Sequence, residues 1–531
     1  MDFYSEIVDL ILSGKIHSKE DIHKAKIRLC KKYEIPNIPP DSEIIARLPD
    51  YGFTDEEHEN LLSLLRKKAM RTISGVAIVA VMTSPEECPH GLCVPCPGGP
   101  TSGTPQSYTG HEPAALRASF NDFDPFLQTR NRLDQLKAIG HPVDKVDLII
   151  MGGTFTSRDP YYQKWFVKRC FDAMNNQESK SLEDAKKINE TAGSRCIGLT
   201  IETRPDWFRV RHCDMALNWG ATRVELGVQT VYDDVLYNMK RGHTVFDSIL
   251  ATRIAKNSGF KVCYHMMPGL PSSDYKRDLD SFITIFEDFN FKPDMIKIYP
   301  TLTIKGTGLY EMWKRGDYEP LSTEEAINFI AEVKSFVPEW VRIQRIQRDV
   351  PARFIDAGVK KSNLRQLVVR EMKQRNTVCR CIRCREVGHK LLRKDFEINE
   401  DRIGFSCIFY EASDSEEVFI SLVDEEHDAL IGYLRLRDIN NSHRFELSKN
   451  PCMIIRELKV VGREISIGRY SKKGLQHKGY GRELIDEAVR ICYEEFDKKY
   501  LFVLSGVGVK EYYRRLGFRD EGVYLVKKIS I

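Results

Sequence analysis

The sequence predicts an α/β protein: a partial (β/α)6 barrel, preceded by a small helical module and followed by a separate α+β domain. Three features carry that prediction. Between about residue 75 and residue 340, six short apolar runs, "GVAIVAVM", "KVDLIIM", "RCIGLTIE", "TRVELGV", "FKVCYHMM" and "PDMIKIY", alternate with amphipathic helical stretches. The runs are apolar almost throughout, as the strands of a parallel sheet covered on both faces must be. From about residue 400 the pattern turns to strands again and then to a glycine-started helix, the mark of a second fold.

Residues 1–70 form the first element, with helical periodicity in "FYSEIVDLILSGKI" and "DEEHENLLSLLRKKAM" and the breaker "EIPNIPPDS" between them. Residues 71–355 hold the barrel, 356–400 a basic linker and 401–531 the α+β domain. At 531 residues, 42% hydrophobic and 29% charged, the chain can bury several cores. Its longest apolar run, "VAIVAVM", is far short of the ~20 residues that cross a bilayer, so no membrane partner is expected. The start, "MDFYSEIVDL", carries acids where an export signal needs basic residues, and a cytoplasmic location follows. In that reducing compartment the 14 cysteines point to metal rather than to disulfides.

Within the barrel, the polar residues that stand out come just after the strands: Gly152 and Gly153 after the second, Glu202 at the end of the third, Gln229 after the fourth. That end of a parallel barrel carries the chemistry. The loop after the first strand reads "ECPHGLCVPCPGGP" and holds Cys88, Cys93 and Cys96. Structural zinc generally takes four protein ligands, whereas three thiolates hold a [4Fe-4S] cluster with one iron open. Nearby glycines and prolines supply the turns that wrap such a group. This arrangement resembles the radical S-adenosylmethionine superfamily, although the common spacing there has three residues between the first two cysteines and here there are four. The resemblance implies a cluster on these cysteines and S-adenosylmethionine against Gly152, Gly153, Glu202 and Gln229.

The linker is strongly basic. Residues 360–394 hold twelve lysines and arginines against Glu371 and Glu386, and Arg342, Arg345, Arg348 and Arg353 lead into them. A phosphate backbone suits such a band, and Lys360, Lys361, Arg365 and Arg370, together with Arg66, Lys67, Lys68 and Arg71 ahead of the first strand, are the expected RNA contacts. The same linker contains "CRCIRC", in which Cys379, Cys381 and Cys384 have tetrahedral zinc spacing with a fourth ligand to be found. His389 is the nearest candidate, and a residue of the barrel domain is an equal one.

In the last domain, Gln476, Gly479 and Gly481 precede and open a helix, where bare N–H groups and the positive helix end suit a pyrophosphate. With "MIIRELKVV" before it and "LFVLSGVGVKEYYRRLGF" after it, the segment resembles the acetyl-CoA site of the GCN5-related N-acetyltransferase fold. A tyrosine near the thioester sulfur is implied, and both Tyr512 and Tyr513 match its position.

Both halves together are specific. "CVPCPGGP", "QSYTGHEP", "MGGTF", "IETRPD", "ELGVQTVYDDV", "HMMPGLP", "YPTLTIKGTGLYEMWK", "QRDVP" and "GVGVKEYYRRLGF" resemble the family of the catalytic subunit of Elongator. The resemblance covers the chain from about residue 75 to the end. It implies modification of the wobble uridine of tRNA. A deoxyadenosyl radical takes hydrogen from the acetyl methyl of acetyl-CoA, the carbon radical adds to uridine C5, and water cleaves the thioester to leave 5-carboxymethyluridine. It further implies that Lys145 reaches acetyl-CoA from the barrel, and that Glu457, Leu458, Lys459, Val460, Gln476, His477, Lys478 and Tyr513 contact it, beside Gly479 and Gly481. The implied partners are tRNA and an external electron donor, with no obligate protein complex if the chain is of the archaeal type. "CRCIRC" departs from the eukaryotic pattern, which keeps only its first cysteine, and reads as a structural zinc site. The rival reading is a protein lysine acetyltransferase with Glu457 as general base. The basic band opposes it, because like charges repel a lysine-rich substrate.

Overall fold

The computed structural model describes residues 2–67, 72–391, 396, 398–462, 476 and 478–529. Four helices, α1 (Phe3–Leu12), α2 (Lys19–Lys32), α3 (Asp41–Arg47) and α4 (Asp55–Leu65), open the chain. Capping boxes at Asp2 and Thr54 start α1 and α4, and Phe3, Ile7, Leu29 and Leu61 are among the side chains of a core separate from the rest.

Seven parallel strands then pair strictly in chain order: β1 (Ala77–Met82), β2 (Lys145–Met151), β3 (Arg195–Thr203), β4 (Arg223–Gln229), β5 (Lys261–Met266), β6 (Met295–Ile298) and β7 (Arg342–Arg345). Among the described residues β7 does not pair back to β1, so the barrel is open along one side. The seventh strand goes beyond the six expected from the sequence. It is the four residues "RIQR", with Ile343 its single apolar member, too short and too charged to show a strand pattern.

Burial alternates along β2. Val146, Leu148 and Ile150 are fully buried with Val79, Val81 and Leu199 of neighbouring strands, while Asp147, Ile149 and Met151 face the lumen. This alternation leaves the inner face of the half-barrel free to hold ligands.

The second sheet, order β13-β14-β12-β11-β10-β9-β8, comprises β8 (Ile403–Ala412), β9 (Ser415–Asp424), β10 (Ala429–Ile439), β11 (Cys452–Val460), β12 (Tyr500–Val503), β13 (Arg519–Glu521) and β14 (Tyr524–Lys528). Helix Tyr480–Glu494 packs on it through Leu484, Ile485, Ala488 and Cys492, apolar side chains that recur on one helical face. The parallel pair β11 and β12 stays together only from Cys452 to Ile455. Beyond that point Glu457–Val460 keep one strand edge unpaired by β12, which opens a split in the sheet.

A fully buried charge network joins the two sheets. Arg456 reaches Asp294 at 2.6 and 2.8 Å and Glu417 at 2.6 Å, while Glu417 also receives Lys256 at 3.1 Å and Arg437 at 2.8 Å. Lys256 and Asp294 belong to the barrel; Glu417, Arg437 and Arg456 belong to the second sheet. Removing one member strands another in low dielectric at a cost of about 3–5 kcal/mol, so the geometry of this junction is held firmly.

Candidate functional site

The loop that follows β1 folds back over the barrel mouth. At its bend Gly98 has φ +68°, and a Cβ there would lie 1.9 Å from the carbonyl oxygen of Tyr108. No other residue fits. The turn brings Cys88, Cys93 and Cys96 to the rim of one cavity of about 1650 Å³ that fills the lumen. Cys88 Sγ lies 3.6 Å from Thr154 Oγ1 and Cys96 Sγ 3.4 Å from Ser107 Oγ, while Cys93 Sγ lies 2.9 Å from His90 Nε2 and 3.4 Å from Arg241 Nη1. Burial pushes the Cys88 and Cys96 thiols up. Three thiols in a cavity wall, with a guanidinium at hand to offset negative charge, are a donor set that fits an iron–sulfur cluster.

Gly152 and Gly153 follow β2, both with positive φ. A Cβ on Gly152 would lie 2.3 Å from Thr83 Oγ1, and one on Gly153 would stand 3.8 Å from Cys88 Sγ. Glu202 accepts Tyr108 Oη at 2.9 Å and Lys297 Nζ at 3.1 Å. Gln229, at φ +74°, has a buried Oε1 without a hydrogen-bond partner among the described residues. An orphaned acceptor beside a thiol-lined cavity and a glycine cradle fits a polar cofactor at this end.

The same cavity reaches the other domain, where Glu457, Leu458, Lys459 and Tyr513 line it. Glu457 accepts Arg435 Nε at 2.9 Å and Tyr433 Oη at 3.1 Å. Burial would raise its carboxyl, but Arg435, Lys261 and Lys459 hold it below the usual range. Such a carboxylate is a poor base. Val460 ends β11 and accepts Gln476 Nε2 at 3.3 Å. Lys145, the first residue of β2, donates to Gln476 Oε1 at 2.7 Å, so it meets the second domain without lining the cavity. Gly479, at φ +100°, caps the N-terminus of the long helix, Gly481 is its second residue, and Lys478 pairs with Glu400. His477 lies outside the described residues.

The two adjacent tyrosines part here. Tyr513 is buried and on the cavity wall, stacked edge-on with Tyr512 and Phe518. Tyr512 does not line the cavity; its hydroxyl lies 2.7 Å from where a Cβ on Gly481 would be, against the helix start.

In the linker, the sulfurs of Cys379, Cys381 and Cys384 lie within 4.8 Å of one another. The Cys379 and Cys381 thiols donate to Cys384 and hold it well below its usual range, and Lys334 Nζ stands 3.4 Å from its sulfur. His389, the nearest fourth ligand in sequence, does not join this group: its Nε2 is 3.5 Å from Glu386 Oε2.

The expected RNA contacts separate by exposure. Lys67, Lys360, Lys361 and Arg370 are exposed, and Arg370 stands at the cavity rim. Arg365 is half-buried and donates to the Gln344 carbonyl at 3.4 Å. Arg66 is turned inward instead, 3% exposed, with Nε 2.6 Å from the Gly140 carbonyl, because the end of α4 docks on the barrel there. Lys68 and Arg71 lie outside the described residues.

Sequence reasoning passed over Glu225, His265 and Lys297, which pave the middle of the lumen. Their signal was present: charged residues two or four apart inside apolar strands, as Arg223 and Glu225 in "TRVELGV" and Lys261 and His265 in "FKVCYHMM", share one face.

Four family profiles match the chain in succession: the ELP3 N-terminal domain over residues 1–73, the Radical SAM superfamily over 83–282, the Radical_SAM C-terminal domain over 293–374 and the Acetyltransferase (GNAT) family over 385–518. A tRNA uridine(34) acetyltransferase of Methanocaldococcus jannaschii is 52% identical over 529 residues, covering 99% of this chain and 97% of that protein. Elongator complex protein 3 of Homo sapiens is 42% identical over 535 residues, covering 99% and 96%. The solved structure of archaeal Methanocaldococcus infernus Elp3, lacking its N-terminus (1–46), superposes with a TM-score of 0.77 at 49% identity, covering 86% of this chain and 100% of that one. With identity of this depth along almost the full length, the chain belongs to the Elongator complex protein 3 family and carries its radical SAM and GNAT domains.

Proposed function

We propose that this acyltransferase modifies uridine 34 of tRNA, joining the methyl carbon of the acetyl group of acetyl-CoA to uridine C5 and leaving 5-carboxymethyluridine once the thioester is hydrolysed. One observation carries the reading: a single cavity of about 1650 Å³ is lined at one end by Cys88, Cys93 and Cys96 and at the other by Glu457, Lys459 and Tyr513. The relatives named tRNA uridine(34) acetyltransferase support the substrate. A [4Fe-4S] cluster with S-adenosylmethionine, when bound, supplies the radical chemistry that an unactivated methyl group requires.

The chain's own residues divide the work. Cys88, Cys93 and Cys96 would hold the cluster, with Gly152 and Gly153 keeping side chains away and Glu202 and Gln229 offering polar groups to the adenosylmethionine. The helix start at Gly479 and Gly481 would take the CoA pyrophosphate, with the free edge of Glu457–Val460 along the pantetheine arm and Tyr513 at the thioester. Lys145 would tie the acetyl-CoA side to the barrel. The exposed cations Lys67, Lys360, Lys361 and Arg370 would carry the tRNA backbone, with an external electron donor and no obligate protein complex. Cys379, Cys381 and Cys384 would hold structural zinc, three ligands of four. Arg435 pinning Glu457 as a carboxylate weighs against the lysine acetyltransferase reading.

Reduced, cluster-reconstituted protein incubated with S-adenosylmethionine, methyl-labelled acetyl-CoA and tRNA should yield labelled 5-carboxymethyluridine by nucleoside mass spectrometry. A lysine-rich peptide acetylated in place of the tRNA would overturn the proposal. Metal analysis should find about one zinc beyond the iron, lost when the three linker cysteines become serine.

A further inference from the structure

The middle of the lumen has two unlike walls. On the β1 and β2 side Ile78, Ala80 and Ile149 form an aliphatic patch beside Asp147, whose carboxylate is paired with Arg223; on the β4 to β6 side the facing residues are Glu225, His265 and Lys297. Strand register sets the polar wall: His265 stands opposite Lys297, and Glu225 opposite Cys263, one pleat away from them. Glu225 lies midway along β4, between the cysteine end of the cavity at Gln229 and the β4 start at Arg223.

Glu225 is fully buried, and its two oxygens are treated unequally. Oε2 accepts His265 Nε2 at 2.8 Å and Lys297 Nζ. Oε1 accepts no hydrogen bond among the described residues, with Arg223 Nε 3.5 Å away. An unsatisfied buried acceptor costs about 1–3 kcal/mol, a cost that a bound ligand's donor removes. Lys297 Nζ also holds Glu202 at 3.1 Å, which leaves one of its three donors. The ligand atoms of Glu225, Cys263 and His265 lie within 4.8 Å, a spacing that suits a metal, but the Lys297 ammonium on the same carboxylate already supplies the positive charge there.

We propose that this wall reads the hydrogen-bonding edge of the target base as uracil, with Glu225 Oε1 accepting N3–H, Lys297 Nζ donating to an adjacent carbonyl, and Ile78 and Ile149 packing on the ring. The inference rests on the reading of the chain as a tRNA uridine 34 enzyme. Uracil presents acceptor, donor, acceptor along O2, N3–H and O4. The wall's carboxylate, flanked by cations, is the complement. Cytosine presents a bare N3 acceptor and an amine donor, which set lone pair against carboxylate and amine against ammonium. Protonation does not blur the distinction: burial alone would raise Glu225, but Lys297, His265 and Arg223 hold it well below the usual range, and Lys297 is held well above its own by Glu225.

The test compares three anticodon stem–loops identical but for position 34, which is uridine, cytidine or N3-methyluridine. The full-length protein is assayed for equilibrium binding and, with cofactors, for base modification. The wild type should modify uridine at least about 100-fold faster than either analogue, the discrimination of a site built around a buried hydrogen bond. Glu225→Gln, whose amide can turn an N–H toward cytosine N3, should narrow the uridine-to-cytidine binding ratio at least about tenfold. Wild type that handles N3-methyluridine as it handles uridine overturns the inference and leaves the functional reading standing, and that arm needs no variant to fold. An unchanged ratio in a folded Glu225→Gln protein overturns it too. Wild type that leaves uridine 34 untouched overturns both.

Discussion

Lys145 Nζ donates a 2.7 Å hydrogen bond to Gln476 Oε1, joining the first residue of β2 to the segment just ahead of helix Tyr480–Glu494. The bond crosses from the barrel to the second domain. Lys145→Ala and Gln476→Ala should each lower tRNA-stimulated release of free CoA at least about tenfold, with tRNA affinity kept within about twofold. Because the two side chains act as one contact, the double variant should be little worse than either single one. Fully additive losses in that cycle would show that they act separately.

Tyr513 and Tyr512 are neighbours with different surroundings, one on the cavity wall and one against Gly481. Tyr513→Phe should reduce tRNA-dependent thioester turnover by about 100- to 1000-fold, the range for losing one hydrogen-bond donor at a reacting oxygen. Tyr512→Phe should stay within about threefold of wild type in the same thiol-release assay. The reverse ranking would exchange their roles.

Charge reversal at Lys360, Lys361 and Arg370, all exposed, should remove up to three phosphate contacts and flatten the dependence of log affinity on log salt by about 2–3. Arg66→Ala should behave differently. Its guanidinium is spent on the Gly140 carbonyl, so the variant should lose about 1–3 kcal/mol of stability while the salt slope remains. Thermal melts and binding titrations from about 50 to 300 mM salt separate the two effects.

Glu417 predicts an acid limb. Burial would raise its carboxyl, but Arg456, Lys256 and Arg437 bring it down to about 2 from the ordinary 4.5. The folded value is the depressed one, so the stabilisation is complete above pH 4.5 and is lost as pH falls toward 2. Melting temperature should drop through that window in wild type. Glu417→Gln should be less stable at pH 7 by about 3–5 kcal/mol and show a shallower acid limb. A variant as stable as wild type at pH 7 would mean that the junction gains nothing from this carboxylate.

The first six strands of the barrel and the position of the cysteine loop were legible before any coordinates, because each is a local pattern set by a short apolar run or by the turn preference of glycine. The spacing of Cys88, Cys93 and Cys96 announced a three-thiol site for the same reason. Tertiary structure alone decided which way Arg66 points, that Tyr513 rather than Tyr512 faces the cavity, and that His389 sits against Glu386 and away from the linker thiols. It alone joined Asp294 to Arg456, 162 residues apart, and set Glu225 beside Lys297, 72 apart. Periodicity says which side chains share a face of one element; which faces meet depends on how elements far apart in the chain pack, and no local pattern records that.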